Sequence, residues 1–138
     1  MKPTPPLLMI SEGRKPRPRK APSLPPPKEI VLHIQVADLL RKTANPEWRW
    51  THIANGEKRD IRTAIKLRRM GVVPGWPDFI LWAPTGMAHG LELKRKGAKP
   101  SDEQDGFVVW AARWGTHFSV ADDFEQAHRV LKLWGAIR

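Results

Sequence analysis

Gly75-Trp76-Pro77-Asp78-Phe79-Ile80-Leu81-Trp82 leads through a proline-rich turn into a short apolar run, and Gly90-Leu91-Glu92-Leu93-Lys94 returns from it after Pro84-Thr85-Gly86. Pro74-Gly75 and Pro84-Thr85-Gly86 are turn signals, and residues 78–82 between them form a run short enough for a buried strand. In residues 90–94 the pattern alternates, which puts Glu92 and Lys94 on one strand face and both leucines on the other. Two adjacent strands joined by a short turn bring Asp78, at the start of the first, near Glu92 and Lys94 on the second. Two carboxylates and an ammonium group then meet.

Upstream, Ile30, Ile34, Ala37 and Leu40 recur at helical spacing between Glu29 and Lys42, predicting a first helix stopped by Asn45-Pro46. Trp48 to Ile53 alternates as a strand ending at the Asn55-Gly56 turn, and a second helix is expected from about Asp60 to Met70, with Gly71 as its stop. Downstream, Ser101 with Gln104, and Asp102 and Glu103 in the first turn, announce a helix whose expected buried stripe is Phe107, Trp110, Ala111 and Trp114. Gly115 ends it. His117 to Ala121 reads as a strand, and Asp122 or Asp123 caps a last helix with Phe124, Ala127, Leu131 and Trp134 on one face. This order predicts an α/β fold with a central mixed sheet flanked by helices.

The chain of 138 residues fits one domain. Residues 1–28 hold nine of the fourteen prolines and seven basic residues against one acid, Glu12, a composition that neither forms helix nor buries a core. A disordered, basic, Pro-rich arm is therefore expected before a domain spanning residues 29–138. The run from Arg14 to Lys20 can touch a DNA backbone or simply be a solvated tail. Removing the arm's charge of +6 from the chain's +10 leaves +4 for the domain. This basicity favours a polyanionic partner through counterion release, without showing catalysis. The absence of cysteine excludes a disulfide framework and a thiolate zinc site, leaving carboxylates, carbonyls and histidines for any metal. No apolar run approaches the roughly 20 residues of a membrane span, and the start lacks the apolar segment of a signal peptide. A soluble, cytoplasmic protein with no membrane partner is the expectation.

Carboxylates suit Mg2+, which takes oxygen ligands and bridges to phosphate oxygens, so Asp78 and Glu92 fit metal-assisted phosphodiester hydrolysis. A lysine beside them, Lys94, can orient water or stabilise developing negative charge. The spacing alone fits an ordinary exposed strand face equally well. The five histidines show no spacing typical of a zinc site, and His33 and His52 read as structural or phosphate-contacting. Asn55, Lys58, Arg59, Lys66, Arg68 and Arg69 could grip phosphates, as could any solvated basic helix face. Trp48, Trp50, Trp76 and Trp82 could stack on bases or fill a core and are left unassigned.

Taken together, Gly75-Trp76-Pro77-Asp78-Phe79, Glu92-Leu93-Lys94, Gly97 and Ser101-Asp102-Glu103-Gln104 resemble the PD-(D/E)XK nuclease pattern, and within it the VRR-NUC family. The family order, Gly-x-Pro-Asp, a turn, Glu-x-Lys, a loop, then Ser-x-x-Gln opening a helix, is matched element by element. His52 to Arg59 and Lys66 to Gly71 are similar to the stretch preceding the metal motif in stand-alone phage and bacterial members, so the resemblance covers roughly residues 29–134. It implies a restriction-endonuclease-like core and a divalent metal, Mg2+ with Mn2+ as substitute, held by Asp78, Glu92 and the carbonyl of Leu93. It also implies Lys94 at the attacking water and an acid on the first helix. Glu29 is the candidate for that acid, although the helix dipole favours an acid there in any case. Gln104 closes the family motif, and Ser101-x-x-Gln104 is equally a capping box.

The stand-alone members resemble Holliday-junction resolvases in size, which implies a homodimer acting on DNA in a bacterial or phage-infected cell. The expectation is a metal-dependent DNA endonuclease, structure-selective for junctions, flaps or forks. Its alternatives are a less selective phage-type endonuclease or nickase and a non-catalytic DNA-binding module. Against the module, two carboxylates facing a phosphate repel it unless a metal intervenes.

Overall fold

The computed structural model describes residues 28–54 and 60–138; the expected arm, apart from Lys28, and Asn55, Lys58 and Arg59 of the expected basic turn lie outside those residues. Eight elements follow in the anticipated order: α1 (Lys28–Thr43), β1 (Arg49–His52), α2 (Ile61–Arg69), β2 (Phe79–Trp82), β3 (Ala88–Leu93), α3 (Asp102–Trp114), β4 (His117–Ala121) and α4 (Phe124–Trp134). The strands lie in the sheet order β1-β2-β3-β4. β1 and β2 are antiparallel, as are β2 and β3, whereas β3 and β4 run parallel. A parallel pair needs a crossover connection, and α3 supplies it. The result is the mixed sheet flanked by helices that the element order predicts. Among the described residues, no helix is long and apolar enough to cross a membrane.

Alternation along β3 separates two faces of the sheet. Leu91 and Leu93 are wholly buried in a core with Phe79 and Leu81 of β2, Leu32, Val36 and Leu40 of α1, and Ala127 and Leu131 of α4. The other face, carrying Gly90, Glu92 and Phe118, faces α3, whose Phe107 ring centroid lies 5.5 Å from that of Phe118. α4 uses its anticipated stripe, with Phe124 and Trp134 packed against the core and Asp123 as the N-cap.

Two anticipated stripes are corrected. In α1 the buried set is Leu32, Val36 and Leu40, while Ile30 is 45% and Ile34 52% exposed. Apolar residues surround this helix, so helical spacing fits more than one stripe, and contact with the sheet selects among them. In α3 only Ala111 of the expected four is buried, and Trp110 and Trp114 are 49% and 66% exposed. α3 packs on β4, the edge strand, so only the residues directly above that strand are covered.

Two glycines set how closely the segment before β2 approaches its neighbours. Gly75 has φ +89°, and a Cβ on it would lie 2.6 Å from the Glu103 carbonyl oxygen at the start of α3. A Cβ on Gly90 would lie 2.7 Å from Cγ of the fully buried Pro77. Gly90→Ala is therefore expected to destabilise the fold by about 1–3 kcal/mol through overpacking. Gly106→Ala, on α3 with no atom within 4 Å of the new methyl, is expected to stabilise it by about 0.5–1 kcal/mol. Urea midpoints moving in opposite directions would bear this out; equal shifts would not.

Candidate active site

Pro77, packed over Gly90, delivers Asp78 to the head of β2. The Asp78 backbone carbonyl accepts from the Ile53 amide at 2.7 Å, and its Oδ2 accepts from the Leu93 amide at 2.7 Å. The residue thus joins the chain leaving β1 to the end of β3. Glu92, only 3% exposed, points to the α3 side, where its Oε1 lies 2.8 Å from Lys94 Nζ. The expected shared face of Glu92 and Lys94 is observed, with Leu91 and Leu93 on the other.

Gln104 ties this pair to α3. Its Oε1 accepts from Lys94 Nζ at 2.6 Å and from the Ser101 amide at 2.9 Å, and its Nε2 donates to Glu92 Oε1. Ser101 Oγ accepts in turn from the Gln104 amide at 3.3 Å, closing the capping box. The expected capping box is thus formed, and the same side chain bridges Lys94 and Glu92.

Burial pushes the Asp78 carboxyl up, opposed by the Leu93 amide and Lys94 and reinforced by Glu29. Burial also pushes Glu92 up, reinforced by the charge of Asp78 and opposed by Lys94. Two carboxylates share one desolvated site with a single ammonium, an arrangement that a divalent cation relieves. Glu29, at the start of α1, is half-buried, and its charge acts on both His33 and Asp78. Asp122 lines the grooves beside Lys94, and its buried Oδ1 has no hydrogen-bond partner among the described residues. The donor set thus fits a hard dication.

The sequence reading missed the placement of two histidines. His33 Nδ1 lies 2.9 Å from His52 Nε2, and His33 Nε2 lies 3.8 Å from Asp78 Oδ2. Ligand-capable atoms of His33, His52 and Asp78 all lie within 4.8 Å of one another. They come from α1, β1 and the head of β2, so no linear spacing could signal the group. Burial pulls the His33 pKa down, against the charges of Glu29 and Glu92. Lys66 and Arg69 stand elsewhere, exposed on α2, which buries none of its residues.

The raised carboxyls have a consequence for stability. Their folded pKa values exceed the unfolded ones, so between the ordinary carboxylate range and neutral pH the folded chain binds more protons and loses stability as pH rises. His33, depressed, acts in the opposite sense, so the signal lies in the difference between wild type and Glu92→Gln. In EDTA, the fall in Tm from pH 5 to pH 7.5 should be smaller in Glu92→Gln than in wild type. Identical pH profiles would remove the buried pair as its source.

No family model matches the chain, and no curated protein matches it by sequence. A solved structure described as "VRR_NUC domain" superposes on it with a TM-score of 0.53, covering 76% of this chain and 95% of that one at 15% identity. At an identity this low the likeness is one of architecture: the chain has the fold of a VRR_NUC domain.

Proposed function

We propose that residues 29–138 form a metal-dependent endonuclease domain that hydrolyses DNA phosphodiesters. The observation that carries this reading is the convergence of Asp78, Glu92, Lys94 and Gln104 in one desolvated cluster on the fold of a VRR_NUC domain. Asp78, Glu92 and the Leu93 carbonyl would hold Mg2+, with Mn2+ as substitute, and Glu29 adds negative charge to the same site. Bound there, the cation would supply a water of lowered pKa and neutralise charge on the transition state. Lys94, held through Nζ by Gln104 and Glu92, orients the attacking water and stabilises developing negative charge. Gln104 positions both Lys94 and Glu92.

Lys66 and Arg69 on α2, with Asn55, Lys58 and Arg59 before it, are the proposed phosphate contacts. Substrate selectivity for junctions, flaps or forks, and a homodimer that cuts paired strands, complete the reading. Exposed Trp76, 5.4 Å from the Phe107 ring, and Trp110, 5.6 Å from it, form an aromatic strip of the kind that a second copy could cover.

The test is cleavage of labelled four-way junction, flap, linear duplex and single-stranded DNA with Mg2+, Mn2+ or EDTA. Wild type should cut only with metal and prefer branched substrates. Asp78→Ala should abolish cutting, and Lys94→Ala should slow it by about a hundredfold or more. Binding without cleavage on every substrate, with either metal, would leave a DNA-binding module in place of an enzyme.

A further inference from the structure

His33 occupies an electrostatically incomplete position. Its Nε2 is buried, has no hydrogen-bond partner among the described residues, and stands 3.8 Å from Asp78 Oδ2, beyond hydrogen-bond length. Its Nδ1 is engaged at 2.9 Å by His52 Nε2. One nitrogen of that pair must donate and the other accept. If His33 Nδ1–H donates, Nε2 turns a bare lone pair towards a carboxylate. If His33 Nδ1 accepts, an N–H bond at Nε2 faces a carboxylate too distant to receive it. A cation between Nε2 and Asp78 completes the first arrangement without altering the His33–His52 bond. Metal-ligating histidines characteristically have their other ring nitrogen held by a second group, which fixes tautomer and ring orientation. Here His52 is that group.

We propose that His33 Nε2 and the Asp78 carboxylate form a mixed nitrogen–oxygen metal position, oriented by His52, that selects a first-row transition dication over Mg2+. The position shares Asp78 with the site of the proposed function and rests on that reading only for its relevance to cleavage. Glu92 does not belong to the group of mutually close ligand atoms formed by His33, His52 and Asp78, so the nitrogen-bearing position lies beside the Asp78–Glu92 pair. An imidazole donor is what distinguishes the two metal classes, because Mg2+ demands oxygen ligands and sheds its waters reluctantly, whereas transition dications accept nitrogen readily. Glu29, one turn before His33 on α1, adds a negative charge that favours any dication there.

The test is electron spin echo envelope modulation of Mn2+ bound to the full chain, with Mg2+ competition run in parallel. Wild type and Glu92→Gln should both show modulation from a coordinated imidazole nitrogen, and His33→Gln should lose it while Mn2+ still binds through carboxylates. The preference for Mn2+ over Mg2+ should shrink in His33→Gln. His52→Ala should keep the nitrogen signal and weaken Mn2+ binding by about tenfold to a hundredfold, with His52→Gln recovering part of the loss. Mn2+ bound to wild type with oxygen donors alone, or no Mn2+ bound at all, would overturn this proposal, while the nuclease reading stands or falls separately by cleavage with Mg2+. A nitrogen signal that survives His33→Gln would also overturn the assignment. An all-oxygen wild-type spectrum overturns the proposal whether or not the variants fold.

Discussion

Asp78 carries two attachments that the rest of the sheet depends on. Its backbone carbonyl takes the amide of Ile53 as the chain leaves β1, and its carboxylate takes the amide of Leu93 at the end of β3. Through one residue, the ends of three neighbouring strands are held in register. The approach that makes this possible is steric: Pro77 occupies the space where any side chain at position 90 would begin. Gly90 and Asp78 are thus parts of one device, a close strand contact that places a carboxylate where water is scarce. The same device raises the energy of the ionised carboxylate, chiefly through burial, while the Leu93 amide and Lys94 oppose the rise.

The parts of this arrangement legible in the sequence are those fixed by short-range rules. Asp78, Glu92 and Lys94 follow from two strands and one turn, and strand alternation alone puts the last two on a common face. Ser101 and Gln104 follow from helix capping. Ile30, Ile34, Trp110 and Trp114 were misplaced because hydrophobic periodicity names candidate faces, whereas the position of the sheet beneath a helix decides which one is covered. α1 lies over the middle of the core and has apolar residues to spare; α3 lies over an edge strand and leaves two tryptophans outside. The His33–His52 contact was illegible for a different reason. It spans nineteen residues and forms only because α1 and β1 both end up against the head of β2. No periodicity or motif encodes a meeting of that kind.

Gln104 shows how a structural rule and a chemical one can be separated at a single residue. A capping box accepts either glutamate or glutamine at its last position, so capping by itself does not choose between them. The hydrogen bonds do. Ser101 and Lys94 both donate to Oε1, which a glutamate oxygen would accept equally well, but Glu92 accepts a hydrogen bond from Nε2, which only an amide can donate. A glutamate there would present oxygen to oxygen and add a third carboxylate to a buried site that already holds two against one ammonium. The cap also fixes which way the amide lies, since the Ser101 amide and Lys94 can bond only to its oxygen. Nε2 is thereby turned towards Glu92 before any ligand arrives. Helix α3 therefore does more than cross from β3 to β4: its first turn holds the lysine and the carboxylate of the site in one fixed relation.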